Sequence, residues 1–137
     1  MIIEKLNKSG IEGVDIITAT FSNGVKVINV TPHPLTFQDG DEIVEVPKSG
    51  LLINAHPIET PLSNGVPKII KTAFHADKTS GVILADIEKL FPGIIPIGSI
   101  IAAQAFPARV FGMTPMPGFE RVAPAEKRMN PDKFTSF

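Results

Sequence analysis

Apolar and polar positions alternate most clearly between Val14 and Val46. Val14 to Phe21 (VDIITATF) has the period of a half-buried strand. The stretch that follows, FSNGVKVINVTPHPLTFQDGDEIVEV from Phe21 to Val46, reads as two consecutive β-hairpins sharing a central segment. Asn23-Gly24 and Asp39-Gly40 are dipeptides whose backbones accept the positive φ that two-residue hairpin turns require. Val25 to Phe37, between them, is rich in β-branched residues suited to a pleated surface. Pro32 and Pro34 each withhold a backbone donor, so the middle of this segment cannot pair through both edges. They also hold Thr31 and His33 extended, which places His33 on a stiff, kinked ribbon.

The remaining apolar runs are short. Met1 to Leu6, Leu51 to Asn54, Lys68 to Phe74, Gly81 to Ala85, Ile94 to Gly98 and Ala108 to Met113 are the expected further strands. Ala55 to Pro67 contains three prolines and Asn64-Gly65, and His75 to Ser80 is polar; both read as loops, with Gly65 as a further positive-φ turn residue. Two short helices are expected. One is a turn capped by Asp86 and stopped by Pro92-Gly93; the other is Ile100 to Phe106, capped by Ser99 and ended by Pro107. Ser22-Asn-Gly-Val25 recurs as Ser63-Asn-Gly-Val66, with His33 and His75 each seven residues past the following lysine, an echo that a hairpin duplication would leave.

These elements predict a mainly β fold, a small antiparallel barrel or sandwich with one or two short helices at its rim. Residues 1–113 form the single β-rich domain and residues 114–137 an extended, Pro-rich C-terminal arm. Pro115, Pro117, Pro124 and Pro131 argue against helix or interior strand in that arm. It nonetheless carries apolar groups, among them Met116, Phe119, Val122, Met129, Phe134 and Phe137. The expectation is an intersubunit arm whose contacts are Phe119, Phe134 and Phe137, and whose removal leaves a folded body that no longer assembles.

Composition narrows the chemistry. Zero cysteines exclude disulfides, thiolate nucleophiles and cysteine-based metal sites, and leave the compartment open. A net charge of −1 recruits neither nucleic acid nor an acidic membrane. Hydrophobic content of 43% with 20% charged residues describes a packed core. Charges at Glu4, Lys5 and Lys8 interrupt what a secretory signal would need, and Ile94 to Phe106 is too short for a membrane span. The expected location is a virion or the host cytoplasm. With no Trp and no Tyr, aromatic contacts fall to nine phenylalanines.

His33, His56 and His75, with Glu59, are the residues a metal centre would use, but no His-x-His or His-x-x-x-His pair presents two ligands on one element. No metal and no cofactor are expected. Gly-x-Ser-x-Gly and both phosphate-binding glycine loops are absent, and the acids Asp39, Asp41 and Glu42 sit beside a turn glycine as solvated turn residues do. One anion-binding arrangement is available, a helix amino end at Ser99 with Arg109 close in sequence. His33, Ser99 and Arg109 are therefore the candidate ligand-binding residues, and no residue is assigned a catalytic role.

Asn29 followed by Val30-Thr-Pro-His-Pro-Leu35 resembles the Asn-Leu-Thr-Pro-His-Pro signature of small proteins abundant in phages, prophages and bacteria. Val46-Pro-Lys-Ser-Gly50 is similar to their Ile-Pro-Pro-Ser-Gly turn, and Gly65-Val-Pro-Lys-Ile-Ile-Lys-Thr72 to their Gly-Ile-Pro-Val-Val-Arg-Thr strand. Gly98 to Ala105 looks like their Val-Ser-x-Ile-Val-Ala-x-Ala segment, with Arg109 near the arginine that follows it. The resemblance covers about Lys26 to Met113; the first strands and the long tail depart from it. It implies phage-type provenance and a compact β-rich fold, and carries no mechanism. The expected function is a non-enzymatic, self-assembling structural protein, a capsid-decorating or tail-associated virion subunit. Its expected partners are itself and other virion proteins, through the arm. The alternatives are an accessory protein gripping a phosphate-bearing ligand such as a nucleotide, and a histidine-based metalloenzyme.

Overall fold

The computed structural model describes residues 1–6 and 15–137. Val14, the expected start of the second strand, lies outside the described residues. The fold is mainly β, a layered sandwich of two four-stranded sheets with helices on one side. The first sheet has the order β1 (Ile2–Leu6), β2 (Ile16–Thr20), β3 (Lys26–Asn29), β8 (Ile95–Ile97). The second has the order β5 (Glu42–Val46), β4 (Leu35–Asp39), β10 (Met129–Thr135), β9 (Gly112–Pro115). β6 (Ala55–Pro61) and β7 (Ile70–Ala76) form a separate antiparallel hairpin, and the helices are α1 (Lys78–Leu90) and α2 (Ile100–Ala105). The antiparallel expectation holds for most pairs, but β3 runs parallel to β8 and β10 parallel to β4.

The strand period explains the layering. On β3, Val27 points to one face and Ile28 to the other, and both are fully buried. Val27, Ala19, Phe21 and Ile97 face the second sheet and meet Phe37, Val46, Val44, Met129 and Phe134. Ile28, Ile16 and Val30 face the opposite way, against Leu84 and Ile87 of α1 and Ala102, Ala103 and Phe106 around α2. The first sheet is thus the middle layer, covered on both sides.

Both expected hairpins form, with shifted turns. Phe21 N–H donates to Val25 O (2.9 Å) and Gly24 N–H to Phe21 O (2.9 Å), with Gly24 at φ +88°, so the first loop has three residues and ends on a left-handed glycine. Asp39 pairs with Glu42, making Gly40-Asp41 the second loop, with Gly40 at φ +65°. The shared central segment, however, is two strands in two sheets. β3 ends at Asn29 and β4 begins at Leu35, and Thr31-Pro-His-Pro34 is the corner that carries the chain from one layer to the other. Gly65 does not take positive φ, and it lies in a long loop between Pro61 and Ile70, so the Ser-Asn-Gly-Val echo has no structural counterpart.

Further expectations are overturned. Leu51 to Asn54 is an irregular segment and not a strand, with Ile53 N donating to Val30 O (3.2 Å). Ala55 to Pro61 is a strand despite Pro57 and Pro61; in a two-stranded hairpin each strand has one unpaired edge, where a missing N–H forfeits no ladder bond. Gly81 to Ala85 is helical. Asp77 caps α1 by accepting from Ser80 N (3.0 Å), and Ser80, Leu84 and Ile87 form the buried stripe at helical spacing. Finally, the C-terminal stretch is no extended arm. β10 lies between β4 and β9, with Met129 opposite both Phe37 and Pro115, and Phe134 opposite Met113. Pro131 falls in the register irregularity between Met129 and Phe134, so the proline sits where the ladder is already broken.

Candidate functional site

Three polar arrangements and one apolar surface stand out. At the corner joining the two sheets, the Asp39 carboxylate accepts from the backbone N–H of Ser22 with both oxygens (3.1 and 3.1 Å) and from the Ser22 hydroxyl. The Met1 ammonium lies 3.5 Å from the same carboxylate, whose side chain is 3% exposed. Burial alone would raise the Asp39 pKa; the Ser22 bonds and the ammonium outweigh it and hold the carboxyl below its usual value. Next to it, Asn23 Nδ2 donates to Pro131 O (3.1 Å) and Asp132 Oδ1 (2.6 Å), fastening the first hairpin loop to β10. Ser22, Asn23, Asp39, Met116 and Asp132 line a shallow cleft of about 250 Å³. Asp39 is thus a buried anchor, where the sequence suggested a solvated turn acid.

The Thr-Pro-His-Pro corner is held by Asn29, which is fully buried. Its amide donates to His33 O (2.7 Å) and Val46 O (3.4 Å), and its carbonyl accepts from Thr31 N (3.0 Å) and Thr31 Oγ1 (2.6 Å). Asn29 O accepts from Ser49 N (3.0 Å), whose own carbonyl accepts from Ile17 N (3.1 Å), so buried Ser49 bridges β2 and β3 where they diverge. The backbone at Thr31 and His33 is therefore pinned, while the His33 side chain is exposed.

The three sequence-derived ligand residues serve different neighbours. Ser99 caps α2 by accepting from Ala102 N (3.1 Å). Arg109 forms a two-pronged pair with Glu88 of α1, and this hydrogen bonding raises its pKa against the opposing effect of burial. Arg109 and Glu88 line a 490 Å³ cleft with Phe91, Ile94 and Phe111, to which neither His33 nor Ser99 contributes. The arginine is already neutralised. α2 has only six residues, with the Ser99 side chain occupying the free N–H of Ala102 in its first turn. Among the described residues no group of three His, Asp or Glu side chains converges as metal ligands. His56 and His75 do face each other across the β6–β7 ladder, a juxtaposition invisible while 55–67 reads as loop.

Of the expected assembly residues, Phe134 packs 6.3 Å from Phe37 in the molecule's own core, and Phe119 lies under the Arg128 guanidinium at 4.7 Å. Only Phe137 is mainly exposed, at 51%. The large exposed apolar groups are elsewhere. The β6–β7 hairpin exposes Ile58 and Ile70 on its strands and Leu62, Val66 and Ile69 on the loop that joins them, and neighbouring α2 exposes Ile100 and Ile101. Ser80 ties the hairpin's root to α1 by accepting from Asn54 N (2.8 Å). Lys68-Ile-Ile-Lys71, two apolar residues between cations, is the sequence signal that could have pointed to this surface, although in sequence it reads only as part of a strand. No protein-family model matches the chain, and comparison with curated proteins and with solved structures gives no match.

Proposed function

We propose that the protein is a non-enzymatic, self-assembling structural subunit, of the kind that decorates a phage capsid or attaches to a phage tail. The observation that supports this reading is the β6–β7 hairpin with its connecting loop, exposed along nearly its whole length and together carrying five large aliphatic side chains. A two-stranded hairpin is marginal by itself, and contiguous apolar surface of this kind is rare on a monomer that works alone. The surface for assembly is thus the hairpin in the middle of the chain, and the C-terminal segment serves the subunit's own second sheet. Phage provenance rests on the Thr-Pro-His-Pro resemblance. The nucleotide-binding alternative is weakened because Arg109 already pairs with Glu88.

Sedimentation velocity of the full chain over a wide concentration range tests the proposal. The expected result is a species of several 14.7 kDa subunits that grows with concentration. A monomer at every concentration overturns it.

A further inference from the structure

Resting on that reading, we infer that assembly proceeds by strand addition: the Lys68–Lys71 segment of one copy's hairpin pairs with the outer edge of β5 in another copy's second sheet. β5 is the end strand of its sheet, so one row of its backbone donors and acceptors faces outward. β7 belongs to a two-stranded sheet and likewise has an edge without a strand partner, and the extended residues before it continue the hairpin, with Leu62 N donating to Ile69 O (2.8 Å).

The side chains along these two edges match. β5 reads Glu42-Ile43-Val44-Glu45, and the hairpin reads Lys68-Ile69-Ile70-Lys71. In antiparallel register Glu42 meets Lys71, Ile43 meets Ile70, Val44 meets Ile69 and Glu45 meets Lys68. Each match lies on one face, because both segments have the period of two. All four charged residues are exposed, and none makes an ion pair within the chain among the described residues. Ile43, Ile69 and Ile70 are 55%, 52% and 37% exposed, so the hairpin's apolar centre and the Ile43 position of β5 are open, while Val44 is half-buried against the core.

The same charges exclude other pairings. Two β5 edges brought together place acid against acid, and two hairpins place lysine against lysine; like charges directly opposed disfavour a pair. Of these three pairings only the unlike one attracts. The contact is therefore head to tail, using different surfaces on the two copies, and it propagates into a ring or a filament.

Charge exchange tests this. Lys68→Glu/Lys71→Glu alone and Glu42→Lys/Glu45→Lys alone should each weaken association on the order of 100-fold, because both opposed pairs turn repulsive. Mixing the two variants should restore assembly, since each presents the edge the other lacks, with the copies alternating by native mass spectrometry. Hydrogen exchange on the unmodified protein gives an independent readout: amides in 42–45 and 68–71 should slow together on assembly. Variants that keep the unmodified protein's oligomeric mass, a mixture that fails to recover, or amides whose exchange ignores assembly overturn the strand-addition contact while leaving self-assembly standing. A protein that is monomeric throughout overturns both.

Discussion

Asp39 offers the sharpest check on how the two sheets are joined. In Asp39→Asn the side-chain volume is kept and the charge is lost. The hydrogen bonds from the two Ser22 donors change from charge-assisted to neutral, a loss of about 1 kcal/mol per donor. The Met1 ammonium, 10% exposed, is left without its carboxylate, which adds about 1 kcal/mol after relaxation toward water. The sum is about 3 kcal/mol, and for a chain of this length that lowers Tm by about 10 °C at neutral pH. With no Trp or Tyr for fluorescence, the assay is thermal denaturation followed by far-ultraviolet circular dichroism.

The pH dependence separates this account from mere loss of packing. The folded carboxyl titrates below the ordinary value of 3.8 that it has in the unfolded chain. Its contribution is therefore whole above that ordinary value and disappears as pH falls through the lower folded one. The gap in Tm between the native protein and Asp39→Asn should be wide at pH 7 and close as the pH drops well below 3.8. A gap of the same size at both ends, or none at pH 7, refutes the reasoning.

Asn29→Ala removes four side-chain hydrogen bonds of a buried residue and should cost about 2–4 kcal/mol by denaturant unfolding, with added mobility at Thr31 and His33 seen by NMR. Gly98→Ala should cost about 1–3 kcal/mol in the same assay, because a Cβ there would sit 2.6 Å from the buried Val110 side chain and 3.3 Å from Ala102. Gly40→Val forces a β-branched residue to φ +65° and should cost about 1 kcal/mol or more. Deleting residues 129–137 strips β10 from between β4 and β9 and uncovers Phe37, so the product should lose its cooperative melt; a folded, merely unassembled product would restore the arm reading.

What was legible in the sequence was local. Asn-Gly and Asp-Gly mark the two hairpins, Ser99 and Pro107 bracket α2, and Val27 and Ile28 sit in an apolar run long enough to bury on both faces. The failures share a cause: each element was decided by a contact distant in sequence. Gly81 and the β-branched Val82 and Ile83 suggest a strand locally. The cap at Asp77 and the stripe Ser80, Leu84, Ile87 make the segment a helix, because that stripe meets Ile28 and Phe106. Pro57 and Pro61 read as strand breakers only while the number of strands in their sheet is unknown. Pro131 reads as a bar to an interior strand only while the bulge at its position is unseen.

The tail shows how such an error reaches function. Apolar side chains at 116, 119, 122, 129 and 134 do need burial, and the inference from composition to packing was sound. What sequence could not supply was the gap it would fill: β4 and β9 are far apart in the chain, and β10 joins them to make one sheet. Phe134 is thereby consumed by Phe37, and Asn23 locks the strand in place through Pro131 and Asp132. Once β10 closes the second sheet, β5 is left at that sheet's margin, its acids and Ile43 turned to solvent. The same closure that removes the C-terminal segment from the assembly surface leaves the acidic edge open, opposite in charge to the exposed Lys68–Lys71 stretch of the hairpin.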